Sequence, residues 1–300
     1  MNILVSGSSG FIGRALIASL DAEEHHVVRL LRSKSPPDKD QLLWNPDTGV
    51  IDAPALEGFD AVVHLAGENI AGRWTAKKKA RIYDSRVKAT RLLCEALARL
   101  AKPPQVLITA SASGYYGDCG DAVLREDHGP GSMFLSRVCQ DWEAATEPAA
   151  RRGVRVVNMR LGVVLGAGGG ALARMLAPFR FGLGGRIGSG RQYMSWIALD
   201  DVVGAIRHVL ANSGLRGPVN VAAPNHVTNL EFTRTLARVL RRPAVFPLPA
   251  FVARLALCEM ADELLLASAR LEPAQLLSSG YAFRFPELEP ALRHILGKTA

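Results

Sequence analysis

The segment "GSSGFIG", Gly7 to Gly13, constrains this chain more than any other. It follows the apolar run "NILVS" (2–6) and leads into the amphipathic helical pattern "RALIASL". One glycine in such a loop allows a tight turn, one lets the backbone approach a pyrophosphate, and one lets the helix lie close to the strand. The start of the helix adds free N–H groups and a dipole that favours an anion. Three glycines alone carry little weight, but here a strand precedes them, a helix follows, and "HVVRLL" (26–31) closes a βαβ unit. Gly7, Gly10, Phe11, Ile12 and Gly13 are therefore expected to border a dinucleotide.

The end of the second strand indicates which dinucleotide. A carboxylate there would bind the ribose 2′-hydroxyl and favour NAD. The sequence instead reads "LLRSKS", with Arg32 and Lys34 and no acid before Asp38. A guanidinium holds a 2′-phosphate through paired charge-assisted hydrogen bonds, so NADP(H) is the expected cofactor and Arg32 its contact. A solvated basic loop is the alternative.

Further apolar runs, "DAVVHLA" (60–66), "QVLITAS" (105–111), "VRVVNMR" (154–160) and "GPVNVAA" (217–223), alternate with helical patterns. Near-continuous apolar strands separated by amphipathic helices predict an α/β fold, a doubly wound parallel sheet covered on both faces. "LLWNPDTGVID" (42–52) reads as a small inserted hairpin, because Pro-Asp-Thr-Gly is turn chemistry. Beyond Gly166 the alternation loosens, and the last seventy residues read mainly helical. The expected division is a cofactor domain over 1–165 plus about 199–225, and a smaller substrate domain over 166–198 plus 226–300.

At 300 residues and 48% hydrophobic content the chain can bury a sizeable core. Its four cysteines show neither paired nor zinc-ligand spacing, so no metal is expected and a reducing cytoplasm is the natural compartment. "MNILVSG" has no basic leader pattern, and the most apolar later stretch carries Arg254, Glu259, Asp262 and Glu263, so no membrane partner is expected. The net charge of +8 is most concentrated in "KKKAR" (77–81), read as a solvated helix face. No nucleic-acid motif accompanies it, and none is expected as a partner.

With the glycine loop, "DAVVHLAG" and "RLGVVLG", the sequence resembles the extended short-chain dehydrogenase/reductase superfamily. "HLAGENIAG", "SRVKAT", "SASGYYGD", "DWEAA", "GLGGRIGSGRQYMSWI" and "LLSSGYAFRFPEL" narrow the resemblance to an atypical, epimerase-like subgroup of NAD(P)-binding oxidoreductases, over essentially the whole chain. The resemblance implies a Rossmann-like domain and a short helical C-terminal domain. It implies contacts from Leu65, Ala66 and Gly67 to the adenosine side of the cofactor, and from Val163 to its nicotinamide end. Arg86 stands where extended members usually carry asparagine, and is expected either near the cofactor phosphates or in a helix-surface salt bridge. The long helices 75–101 and 132–151 would, by the same analogy, form a homodimer contact.

In that superfamily a Ser or Thr at the end of the strand carrying Ser111 orients the substrate. A tyrosine on the next helix acts as acid/base, with a lysine four residues on lowering its pKa. Here that helix, "FLSRVCQDWEAA" (134–145), has neither residue, and Tyr83, Tyr115, Tyr116, Tyr193 and Tyr281 are followed four positions later by Val87, Cys119, Gly120, Ile197 and Phe285. "TASASGYYGD" (109–118) therefore reads as half an active site. Ser111 or Ser113 would orient a carbonyl, and residues 109, 111 and 113 share a face while the strand persists. Tyr116 would border the cleft, and Tyr115 or Tyr116 would replace the proton donor, unless the wall only contacts substrate. Glu68 would act as a base if desolvation raised its pKa, or would serve in a turn or on the ribose, as would its neighbour Asn69. Arg191 and Tyr193, in "SGRQYMSWI", resemble the region that holds the phosphates of an activated sugar; for Arg191 a structural salt bridge is the equal alternative. His64 and Cys139 read as core.

The function expected from this set is an NADP(H)-dependent oxidoreductase or epimerase-like enzyme acting on a small carbonyl or sugar-type molecule. A non-catalytic NADPH-sensing regulator and a nucleotide-sugar epimerase or dehydratase are the alternatives.

Overall fold

In the central strands successive side chains point to opposite faces, and both faces are apolar. Ile3, Val5, Val63, Ile108 and Val157 pack in one core with Leu16, Ile17, Val202 and Ile206, while Leu4, Val62, Leu107 and Val156 pack in a second with Leu93, Cys94 and Leu97. A sheet buried on both sides needs such near-continuous apolar runs. The computed structural model describes residues 1–32 and 38–298.

Its strands are β1 (Asn2–Ser6), β2 (His26–Leu31), β3 (Gln41–Asn45), β4 (Val50–Ile51), β5 (Ala61–His64) and β6 (Val106–Ala112). β7 (Val123–Leu124), β8 (Arg155–Leu161), β9 (Val163–Gly166), β10 (Trp196–Ala198), β11 (Gly217–Val221) and β12 (Arg270–Leu271) follow. Eight of them form the main sheet in the order β11-β8-β6-β5-β1-β2-β3-β4. Every pairing in it is parallel except β3 with β4. The chain winds outward from β1 in one direction through β2 and β3, then returns to β5 and winds outward in the other. The doubly wound Rossmann-like reading therefore holds, with the topological switch between β1 and β5.

Two expectations are corrected. Residues 42–52 are not an insertion: β3 lies parallel to β2, with Leu30 opposite Leu42, and is the third strand of the sheet. Only its far side carries the antiparallel β4. The long helices are also broken. α1 (Phe11–Asp21) is followed by α2 (Ala76–Asp84) and α3 (Val87–Ala98), then α4 (Phe134–Ala144) and α5 (Glu147–Arg151). Between α2 and α3, Ser85 Oγ donates to Ile82 O and accepts from the Glu68 N–H, which ties the chain to the loop after β5. Between α4 and α5, the Thr146 hydroxyl donates to Glu143 O and Pro148 supplies no N–H.

α6 (Gly170–Arg180), α7 (Leu199–Ala211), α8 (Asn229–Leu240), α9 (Ala250–Leu257) and the short helix Leu288–Ile295 complete the main helices. α8 begins with a reciprocal capping box between Thr228 and Glu231. A third core joins α6, α8 and the terminal helix through Leu172, Phe179, Phe232, Leu236 and Leu292. The last segment also returns to the sheet, where Leu276 packs in the first core and the Tyr281 hydroxyl donates to Asp201 O. Among the described residues no helix is long and apolar enough to cross a membrane.

Candidate active site

The glycine loop is built without room for side chains. Gly7 has φ +68°, and a Cβ on it would come within 2.6 Å of the Leu65 carbonyl carbon across the switch point. A Cβ on Gly13 would lie 2.3 Å from Gly7 O, because α1 turns back directly over the loop. Gly10 caps α1 through its backbone alone, with no side-chain cap and no acid in the first turn. The N–H groups there keep their capacity for an anion. Ser8 Oγ is buried in the same loop with no hydrogen-bond partner. Phe11 does a different job from Ile12, which packs against the first core: its ring fills a groove left by Gly166, Gly169 and Gly170, where added Cβ atoms would approach it to 2.6, 2.9 and 3.2 Å. The glycine run after β9 thus seats the first residue of α1.

Leu65, Ala66 and Gly67 leave the end of β5 beside this loop, half-buried or exposed. Against Gly67 lies the Arg86 guanidinium, whose carbon would be 3.3 Å from an added Cβ. Arg86 Nη1 donates to Ile82 O at 3.2 Å, and the group lies over the Trp142 ring at 5.2 Å. Among the described residues no carboxylate pairs with it, so the helix-surface salt bridge is absent; burial lowers its pKa. Arg32 is exposed at the end of β2. Lys34 lies outside the described residues. A closed glycine cradle, an orphan buried hydroxyl, an uncapped helix start and an unpaired half-buried guanidinium are what a dinucleotide phosphate would require, so these residues fit NADP(H).

Glu68 does not meet the condition for a base. Lys78 Nζ donates to its carboxylate at 2.6 Å and Arg81 lies 3.8 Å away, and this pairing, with Lys78 first, holds its pKa below the usual carboxylate range. The Asn69 side chain accepts from the Ala71 N–H at 2.9 Å, closing a local turn.

The polar stretch Thr109 to Asp118 folds differently from the face-sharing expectation. β6 stops at Ala112 and Ser113–Tyr115 form a 3₁₀ turn, which takes Ser113 out of the alternation. Ser111 is buried and donates to Glu143 Oε1 at 2.7 Å. Glu143 also receives Nε and Nη2 of Arg160, each at 2.9 Å, a bidentate pair of which the arginine is 3% exposed. Arg160 Nη1 donates to the Tyr116 oxygen at 2.9 Å, and Tyr116 donates to Asn220 Oδ1 at 2.8 Å. Tyr116 is therefore a buried member of a network and not a cleft-side proton donor; burial pushes its phenol up to about 12 despite the Arg160 charge. The half-buried groups whose hydroxyls have no protein partner among the described residues are Ser113 and Tyr115, the latter with Arg160 laid 3.4 Å above its ring.

Sequence reasoning missed Arg160 and Glu143. The available signal was an arginine inside the buried run "VRVVNMR", since a charge on a covered strand needs a partner. His64 and Cys139 are core residues. His64 bonds Ser6 at 2.5 Å and Thr90 at 3.0 Å, and burial drives its pKa down to about 4. Burial pushes the Cys139 thiol up to about 12, leaving it inert. Val163 is half-buried at the start of β9, its N–H held by Ser195 O at 2.7 Å. Arg191 is exposed and makes no ion pair among the described residues, and Tyr193 lies under the Arg270 guanidinium at 4.9 Å.

Comparison with known proteins adds to this geometry. The family model described as the NAD dependent epimerase/dehydratase family matches residues 3–222, and a domain of unknown function, DUF1731, matches residues 248–295. The chain is 45% identical to epimerase family protein Mb2239 of Mycobacterium bovis, covering 97% of this chain and 96% of the relative. It is 37% identical to human epimerase family protein SDR39U1, covering 99% of this chain and 100% of that protein. A crystal structure of human SDR39U1 isoform 2 with NADPH superposes with a TM-score of 0.91 over 100% of both chains, at 36% identity. The glycine cradle and these full-length matches agree: this chain belongs to the NAD dependent epimerase/dehydratase family.

Proposed function

We propose that this protein is an NADP(H)-binding oxidoreductase or epimerase-like enzyme for a small carbonyl or sugar-type molecule, working without a Tyr-Lys pair. The observation that carries the reading is the cradle: Gly7 and Gly13 admit no side chain, and the half-buried Arg86 guanidinium against Gly67 has no carboxylate partner among the described residues. The human relative's crystal structure with NADPH supports it.

In this reading the Gly7–Gly13 backbone and the start of α1 bind the pyrophosphate, Arg86 neutralises it, and Arg32 holds the 2′-phosphate. Leu65, Ala66 and Gly67 pack the adenosine side, and Val163 packs the nicotinamide end. Bound NADP(H) supplies the hydride. Ser113 and Tyr115, with free hydroxyls, orient the carbonyl and carry its proton in place of Ser111 and Tyr116, whose hydroxyls are already engaged. Residues 1–165 plus 199–225 hold the cofactor, and residues 166–198 plus 226–300 supply the substrate side, with Tyr193 among its contacts.

A second reading, a regulator that senses NADPH without chemistry, is favoured by one observation. The helix that faces Ser111 offers only the inert Cys139 thiol as its nearest titratable neighbour to that hydroxyl besides Glu143. Incubation with NADPH deuterated at C4 and a panel of aldehydes, ketones and sugars separates the two. Label transfer to a carbonyl, lost in Ser113→Ala or Tyr115→Phe, supports the enzyme. Tight NADPH binding with no transfer to any member, together with weaker NADP⁺ binding, supports the sensor.

A further inference from the structure

Exposed apolar side chains are not scattered evenly over this molecule. Of the ten large hydrophobic residues exposed among the described residues, six stand in two short stretches: Phe181 and Leu183 after α6, and Val245, Phe246, Phe251 and Leu255 in the loop after α8 and on α9. The two stretches lie side by side. The Phe246 N–H donates to Gly184 O at 3.2 Å and the Leu248 N–H to Arg186 O at 2.9 Å, and a Cβ on Gly182 would meet Pro243 Cγ at 3.4 Å. α9 follows at once, burying Ala253 and leaving Phe251 and Leu255, one helical turn apart, exposed.

The charge of the same region is one-sided. Residues 166–199 contain four arginines and residues 232–258 five, with no lysine, aspartate or glutamate in either. These nine charges exceed the chain's net +8, so all the rest of it carries a net −1. Asp262 engages Arg254, and Glu289 engages Arg238. Arg180, Arg241 and Arg242, which stand beside Phe181 and Pro243 in the chain, are exposed and have no ion pair among the described residues. Arg241 also ends α8 at φ +53°, a left-handed position that glycine usually fills.

A partner for this face must be anionic and must accept separate protruding side chains, each 57% to 80% exposed. A second copy of the chain fails the first condition, because a two-fold contact would set arginine against arginine. A nucleic acid fails the second, because leucine and valine have no face on which a base can stack. A rigid protein surface would need a pocket for each knob, whereas a fluid lipid surface needs none. We propose that the face formed by Phe181, Leu183, Phe246, Phe251 and Leu255 docks on an anionic lipid surface. The apolar side chains enter the headgroup region while Arg180, Arg241 and Arg242 hold lipid phosphates. Such a contact lies on the surface and needs no membrane-spanning helix. It is independent of the cofactor and of what the crevice binds.

The test uses the full chain with vesicles of phosphatidylcholine alone and vesicles of phosphatidylcholine with an equal part of phosphatidylglycerol, read by co-sedimentation. Binding to the anionic vesicles, weakened by high salt and absent on phosphatidylcholine, is expected. Arg241→Gln combined with Arg242→Gln should weaken it about tenfold or more, and Phe251→Ser combined with Leu255→Ser by a similar factor, while NADPH affinity and thermal midpoint stay at their wild-type values. Trp44, Trp74, Trp142 and Trp196 are all buried, so Phe251→Trp adds the one exposed indole, and its emission should shift to the blue on anionic vesicles only. No binding to anionic vesicles at low salt overturns the proposal, as does binding that both double variants leave unchanged. Binding lost with the arginines but kept in Phe251→Ser with Leu255→Ser, and without the blue shift, would reduce the contact to charge alone and also overturn it. Concentration-dependent dimerisation in sedimentation velocity, abolished by Phe251→Ser with Leu255→Ser and accompanied by no vesicle binding, would assign the face to a second copy instead.

Discussion

His64 gives a stability prediction whose size follows from its surroundings. The ring is fully buried at the end of β5, edge-on to Trp44, with Ser6 on one nitrogen and Thr90 on the other. Burial lowers its pKa from 6.5 to about 4. Above pH 6.5 both folded and unfolded chains carry a neutral ring, and the contribution is fully present. As the pH falls from 6.5 to about 4, the unfolded chain takes up a proton that the folded one refuses, and stability is lost across that window. At about 1.4 kcal/mol per pH unit the loss is about 3 kcal/mol. Urea unfolding at pH 7 and pH 4 should show this loss in the wild type. His64→Asn, which keeps a hydrogen-bonding group facing Ser6 but cannot titrate, should lose about 3 kcal/mol less between the same two pH values. Carboxylates titrate in both proteins and cancel in the comparison. Equal losses in the two proteins, or an NMR titration of His64 near its ordinary value, would refute the reasoning.

Tyr116→Phe removes a hydroxyl that Asn220 and Arg160 both use, and should cost about 1–3 kcal/mol in urea unfolding while leaving NADPH affinity unchanged. A large loss of activity without loss of stability would return Tyr116 to the catalytic group. Gly7→Ala forces a Cβ into the Leu65 carbonyl at positive φ; it should destabilise the fold by about 2 kcal/mol or more and abolish saturable cofactor binding in calorimetry. Arg86→Gln should weaken NADPH about tenfold or more with little change in thermal midpoint, because the guanidinium has no carboxylate to lose.

Much of the architecture was legible because it is written in local pattern. The runs that became β1, β2, β5, β6, β8 and β11 are apolar on both faces, and Gly7 to Gly13 can only be a turn closely covered by a helix. β3 was legible only in part: Pro-Asp-Thr-Gly gave the antiparallel hairpin to β4, but the parallel pairing of β3 with β2, which makes it part of the main sheet, is a matter of tertiary structure. The missing Tyr-Lys pair was readable from spacing alone. Which hydroxyls remain free was not, because one 3₁₀ turn after Ala112 rotates Tyr116 inward onto Arg160 and leaves Tyr115 at the edge. The Arg160–Glu143 pair joins β8 to α4 across 17 residues, a distance over which no periodicity reports. Glu68 misled for a related reason: its position after β5 is right for chemistry, but Lys78 folds back onto it from α2.

The most direct test of the cofactor reading is a calorimetric titration of the cofactor-stripped protein with NADPH and with NADH. The account predicts saturable binding of NADPH in preference to NADH, a preference that Arg32→Ala reduces. Absence of saturable binding for either nucleotide would leave the Gly7–Gly13 cradle as a packing device alone, and would contradict the account at its base.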